Sequence, residues 1–283
     1  MSKNFVLLLC AIVLTVVIVT GCAPQMQKPL PVCAGKQSTG EALLFLKSNS
    51  QNTVPFKAVG QCLARFNIDE KKYNENFPVK LWVNPPDQLR LQGDISFNAR
   101  GIDLGSNPAE FWLSIKPQAG CYWWGLWNDQ GPAGRLLIDP KMVLDAAGIV
   151  ADSNVQNWSL SNQGPFDILT AQNHAGAVIK KVYVYSCDYR VSKVQYFNAE
   201  GLLAAVVELD GYREISKDFF VPSVIKIANM NNEKITDSFK ITLDSIKPVQ
   251  FSEQQKDIFF SRPPPKGFKS VLKIIDGRLL KQQ

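Results

Sequence analysis

Between residues 54 and 66 the chain alternates. Val54, Phe56, Ala58, Gly60, Cys62, Ala64 and Phe66 share one parity, and Pro55, Lys57, Val59, Gln61, Leu63 and Arg65 occupy the other. Successive side chains of a strand point to opposite faces, so a period of two over this length predicts a long strand with one strongly buried face. The period recurs down the chain and predicts further strands over 79–83, 88–98, 110–115, 122–127, 177–186, 189–198, 202–209, 221–228, 234–245 and 271–275. The links between them carry turn chemistry, as in Asn84-Pro85-Pro86-Asp87, Cys187-Asp188 and Asp210-Gly211. Short links join antiparallel neighbours, which makes a meander. The economical architecture is one continuous antiparallel sheet curled around helices.

Two helices are expected. Ser38-Thr39-Gly40-Glu41 spells a capping box, followed by Ala42 and the apolar run Leu43, Leu44, Phe45 and Leu46. A helix over 39–48 with that much apolar surface has to be buried on a broad face, and a sheet supplies one. Asp139-Pro140 opens the second, over 140–147, with aspartate as cap, proline in the first turn and Gly148 as the stop.

The first 21 residues are of a different kind. Lys3 precedes an apolar run over 5–19, which at 15 residues is short of the ~20 needed to span a bilayer and has the form of a secretory signal. Val19-Thr20-Gly21-Cys22 resembles a bacterial lipobox at all four positions. The resemblance implies cleavage before Cys22 and membrane anchoring through diacylglycerol and acyl chains, including palmitate, on that residue. Ala23, where the sorting pattern has aspartate for inner-membrane retention, implies the outer membrane. The chain then divides into a signal peptide (1–21), a lipidated N-terminus and proline-bearing tether (22–37) and a folded domain (38–283).

Cleavage removes Lys3 and lowers the side-chain charge from +6 to +5. The excess is modest, with no Lys/Arg run that would hold nucleic acid. Cys33, Cys62, Cys121 and Cys187 remain in the domain, where they allow two disulfides in three connectivities or buried thiols. Their spacing does not fit a zinc ribbon, and His174 is the one histidine. No GxSxG elbow or P-loop is present. The expectation is a protein that is not an enzyme and needs no cofactor or metal.

The strongest local feature is Cys121-Tyr122-Trp123-Trp124-Gly125-Leu126-Trp127, with Trp82 and Trp112 on neighbouring strands. Alternation puts Tyr122 and Trp124 on one face and Trp123 and Trp127 on the other. Such rings suit the wall of a lipid-sized cavity, a rim that touches membrane or a partner, or plain core.

Order and local strings together resemble the lipoprotein carrier and receptor proteins of the bacterial outer-membrane sorting pathway. The strings are QLRLQGD at 88–94, VSKVQYFNAEGL at 191–202, FVPSVIKI at 220–227 and DIFF at 257–260 before PPPKG at 263–267. The likeness covers most of 38–275. It implies an incomplete antiparallel β-barrel with a hydrophobic concave side, helices packed on that side as a lid, and an aromatic strand at 257–260. The implied function is binding of acyl chains or another hydrophobic ligand, with transfer of lipids or lipoproteins at the outer membrane and the domain in the periplasm or at the cell surface. The lid helix would offer Leu43, Leu44, Phe45 and Leu46, and the candidate ligand or interface residues are Trp82, Trp112, Tyr122, Trp123, Trp124 and Trp127. No individual receptor residue carries over except the lipid-bearing Cys22. The rival expectation is an envelope scaffold or interaction module with a filled barrel and an envelope protein as partner.

Overall fold

The computed structural model describes residues 30–68, 70–95, 98–116, 120–129, 139–146, 157–276 and 278–282. The signal segment, Cys22, and the expected helix end at Ala147 and Gly148 lie outside them. The chain divides into two compact units, Met1–Pro31 and Val32–Gln283, and the fold belongs to the second.

Its strands form one sheet made of two meanders. The first is β1 (Phe56–Ile68), β2 (Lys71–Asn84), β3 (Gln88–Ile95), β4 (Asn98–Ser106), β5 (Glu110–Ile115) and β6 (Cys121–Leu126). The second is β7 (Asn157–Gln163), β8 (Phe166–Gln172), β9 (Val178–Tyr185), β10 (Val191–Phe197), β11 (Leu203–Ser216), β12 (Phe219–Asn231) and β13 (Lys234–Pro248). Pairing of β1 with β13 joins them, so that first and last strands meet at the centre. The chain then crosses back to add β14 (Ser270–Ile275) parallel to β6, with β15 (Arg278–Lys281) outside it. The order runs from β15 to β7 without closing, which is the incomplete barrel expected.

Alternation is clearest in β1, whose residues are buried and exposed in turn over all 13 positions. The buried set, from Phe56 to Ile68, faces the concave side. At the seam the register slips between Val59 and Gly60, and the space opposite is closed. A Cβ on Gly60 would lie 1.9 Å from the Thr242 carbonyl oxygen. Glycine is what lets the two meanders approach here.

Among the described residues, three helices accompany the sheet: α1 (Thr39–Gln51), α2 (Pro140–Ala146) and α3 (Glu253–Phe260). The third corrects an expectation, because 257–260 is helical where the resemblance implied an aromatic strand. Ser252 and Gln255 form a reciprocal capping box that starts the helix. Burial of Phe260, and stacking of Phe259 on Trp82 at 5.1 Å, then fix it on the convex face. Strands β4, β7, β8 and the short β15 went unforeseen. In β4, Gly105 lies under the Trp112 ring, where a Cβ would come within 2.2 Å of Cζ2. A strand built around such glycines reads as a turn. Edge strand β7 is polar and mostly exposed, and β8 pairs with it.

The segment from α3 to Phe268 lies across the convex face of β2–β6 and is held by polar contacts. Arg90 on β3 makes a two-pronged ion pair with Asp103 on β4, Nη2 to Oδ2 at 2.7 Å and Nε to Oδ1 at 3.1 Å. Gln92 and the Trp112 indole also donate to Asp103, and the remaining Arg90 nitrogen donates to the carbonyls of Ile258 and Phe259 at the end of α3. A cation there satisfies carbonyls that the helix leaves open. Farther along, the Tyr122 hydroxyl donates to the Pro263 carbonyl, and Arg262 Nε meets Glu110 at 2.6 Å.

Arg90 and Asp103 are both buried. Removing one partner of a buried pair leaves an uncompensated charge, so Arg90→Met is expected to lower unfolding stability by about 3–5 kcal/mol in urea titration. Combining Arg90→Met with Asp103→Leu should recover much of that loss. A cost below about 1 kcal/mol for the single change would show that the pair does not hold the segment.

Candidate functional site

The register defines the concave face row by row. Phe56, Cys62 and Phe66 of β1 lie level with Val83, Phe77 and Tyr73 of β2, and Leu81 with Leu91 and then Leu104. In the second meander Ile225 and Ile227 stand against Ile241 and Phe239, with Leu209, Val207 and Val194 beyond. Apart from Tyr73, which is half-buried, all these residues are buried. The face is apolar across both wings.

Helix α2 lies over it and touches β4 in one wing and β11 and β12 in the other. Its Pro140, Val143, Leu144 and Ala146 are buried. Asp139 caps it by accepting the Lys141 amide at 2.8 Å. Burial pushes the Asp139 carboxyl above its usual range, against the effect of that amide. A polar cluster ties the helix to the sheet. Asp145 Oδ2 receives the Lys180 ammonium of β9 at 2.6 Å and the Tyr196 hydroxyl of β10 at 2.6 Å. Lys180 is 4% exposed and sits on the inward parity of Val182 and Val184. A lysine on an apolar face needs a counter-charge, and α2 brings it.

Helix α1 packs on β7 and β8 at the far end of the second wing. Ser38 caps it, while Glu41 accepts the Gln37 amide rather than that of Ser38. Of the expected lid side chains, Leu46 is buried and Leu43 partly so. Leu44 and Phe45 are exposed, with the Phe45 ring 5.3 Å from Tyr189 and the Lys36 ammonium 3.5 Å from its centre. The segment before α1 is tied down firmly. Cys33 is disulfide-bonded to Cys187, the Lys36 amide donates to the buried Asp167, and Asn162 donates to the same carboxylate. Cys62 and Cys121 are buried thiols on the concave face. Burial pushes Cys62 up to about 12, so at neutral pH it is apolar lining and no nucleophile.

The aromatic candidates separate into two groups. Trp82, Trp112, Tyr122 and Trp124 share the convex face beneath the α3 segment. There Trp112 and Tyr122 are fully buried, and Trp124 lies under the Arg262 guanidinium at 4.1 Å. Trp123 is on the concave face. Trp127 packs on the concave Phe111 at 4.6 Å and donates to the Asn107 carbonyl. His174 is exposed in the β8–β9 turn. Asp145, Lys180 and Tyr196 were not singled out from the sequence. The usable signal was a lysine at an inward position of β9. Two grooves among the described residues, of about 580 and 360 Å³, open on the convex face.

No family model and no curated protein matches the sequence. Solved structures match in fold. A domain from Vibrio parahaemolyticus described as an outer membrane lipoprotein-sorting protein is 11% identical, with a TM-score of 0.51 over 78% of this chain and 97% of that one. A LolA superfamily protein from Nitrosomonas europaea is also 11% identical over the same shares, with a TM-score of 0.50. A DUF1329 family protein from Desulfovibrio piger is 10% identical over 80% of this chain and 98% of its own, with a TM-score of 0.54. The fold is therefore of the lipoprotein-sorting type, an open curved sheet with helices.

Asp145→Ala removes the carboxylate of α2 that receives both the Lys180 ammonium and the Tyr196 hydroxyl, so α2 should loosen while the sheet stays intact. Hydrogen exchange read by mass spectrometry is expected to show the 143–146 amides exchanging about tenfold faster or more, with β1 and β13 unchanged. Unchanged α2 rates would remove the latch from the account.

Proposed function

We propose that the domain binds acyl chains or another hydrophobic ligand between α2 and the concave face, in the transfer of lipoproteins or lipids at the outer membrane. The observation that carries this reading is α2, which spans both wings of an apolar face and is tied to it by the buried cluster of Asp145, Lys180 and Tyr196. A covered apolar face with a releasable cover exchanges one apolar partner for another at little net cost in exposed surface. The fold shared with lipoprotein-sorting and LolA superfamily proteins supports it. Anchoring is proposed through diacylglycerol and acyl chains on Cys22, with the domain in the periplasm or at the cell surface. The work is binding and needs no catalytic group or cofactor. Trp123 and Trp127 are the proposed aromatic contacts on the ligand side, and Leu43 and Leu46 those of α1.

A second reading has its own observation. The concave side chains are already buried, so the half-barrel could be a filled scaffold that docks an envelope protein through its outer face. A fluorescent fatty acid separates the two. The chain from residue 22 onward, carrying Cys22→Ser so that no covalent acyl group competes, is expected to take up the probe and release it to palmitate. Uptake should rise severalfold when Asp145→Ala is added. No uptake by either protein would leave the scaffold reading standing.

A further inference from the structure

The convex face over the central seam bears a feature that the ligand reading does not use. Lys57 of β1 stands directly opposite Lys247 of β13, and Val59 lies between Lys80 of β2 and Ser245 of β13. With the edge of Trp82 these residues line the groove of about 360 Å³. All three lysines are exposed, and none of their ammonium groups makes an ion pair or a hydrogen bond among the described residues. Like charges directly across a strand pair repel each other. The repulsion recurs farther along, where Lys226 faces Lys240, and there Glu208 relieves it at 3.2 Å from Lys226. Asp244, in the bulge beside Ser245, makes no ion pair among the described residues. Val59 lies between the two lysine pairs and Leu63 stands level with the second, opposite Lys240, each 49% exposed, with about 20 Å of strand from Lys57 to Leu63.

We propose that this face seats on an anionic lipid bilayer, with the ammonium groups of Lys57, Lys80 and Lys247 on headgroup phosphates and Val59, Leu63 and the rim of Trp82 at the polar–apolar boundary. The chemistry of the patch selects this occupant. Lysine is a compact point charge on an apolar stem that lies along apolar surface while its head stays with water and phosphate. Interfacial tryptophan has the same two-sided character, and the Trp82 ring is held in place by Phe259. Lys57, Lys80 and Lys247 outnumber the neighbouring Asp244, and that surplus of positive charge complements a lipid surface, with an attraction that falls off with salt. The orientation leaves the concave face and α2 on the side away from the bilayer.

Lysine acetylation footprinting of the full chain tests it. With phosphatidylglycerol-containing vesicles, labelling of Lys57, Lys80 and Lys247 is expected to slow severalfold, while Lys141 on α2 is unchanged and phosphatidylcholine vesicles have no such effect. The triple variant K57Q/K80Q/K247Q in the full chain should bind the anionic vesicles about tenfold more weakly or worse, because each lysine near such a surface contributes roughly a fivefold factor. Unchanged rates with anionic vesicles, equal protection by neutral ones, or protection by inorganic phosphate or polyglutamate alone would overturn the proposal. The polyglutamate result would point instead to an acidic protein.

Discussion

A sheet of fifteen described strands that does not close leaves an apolar face wider than the sheet can cover by folding on itself, and most of this structure follows from covering it. Antiparallel sheets usually leave one face to water, and here alternation makes the inner face apolar on both wings. Apolar burial is worth about 25 cal/mol per Å², so an uncovered face of this breadth would be sticky and unstable. The covers are two helices from the segments outside the strands. One, α1, is stitched to the β7–β8 end by a disulfide, a cap and a buried carboxylate. The other, α2, is short and lies across the middle. Its main tie is charged, and a charged tie in an apolar setting holds firmly when paired and strongly disfavours the half-broken state.

The convex side solves a different problem. In the first wing the outer face carries Trp112 and Tyr122, which the C-terminal segment buries after crossing back from β13 to β6. Arg90 links that segment to the sheet by satisfying Asp103 below it and two helix carbonyls above it. The first wing is thus a three-layer structure over part of its width, while the outer face of the centre and second wing carries lysines, Glu208 and isolated apolar residues. The two sides differ in what they can exchange. The outer cover ends in a strand hydrogen-bonded to β6, whereas α2 has no such backbone tie to the sheet among the described residues.

Legibility in the sequence followed how local each cause is. The period of two in β1, the Ser38 cap and the Asp139-Pro140 helix start are properties of a few adjacent residues, and all are present. The resemblance put an aromatic strand on DIFF, a short apolar run that suits either period, and the capping box that decides for a helix starts five residues upstream of it. Strand β4 was invisible because Gly105, which weakens its strand signal, is there to accommodate Trp112 of the next strand. The disulfide joins residues 154 apart, and no spacing rule selects Cys187 for Cys33 over the other cysteines. The latch was half legible. Alternation alone places Lys180 inward, but nothing local says that Asp145 will lie over it.

The central claim is that α2 is an exchangeable cover. A crystal structure of the domain with a long-chain fatty acid bound tests it directly. The account predicts the acyl chain lying between β4 and β11–β12, with α2 displaced, the Asp145–Lys180 contact broken and the strand registers unchanged. An acyl chain found only in the convex grooves, with α2 still seated on the sheet, would contradict it.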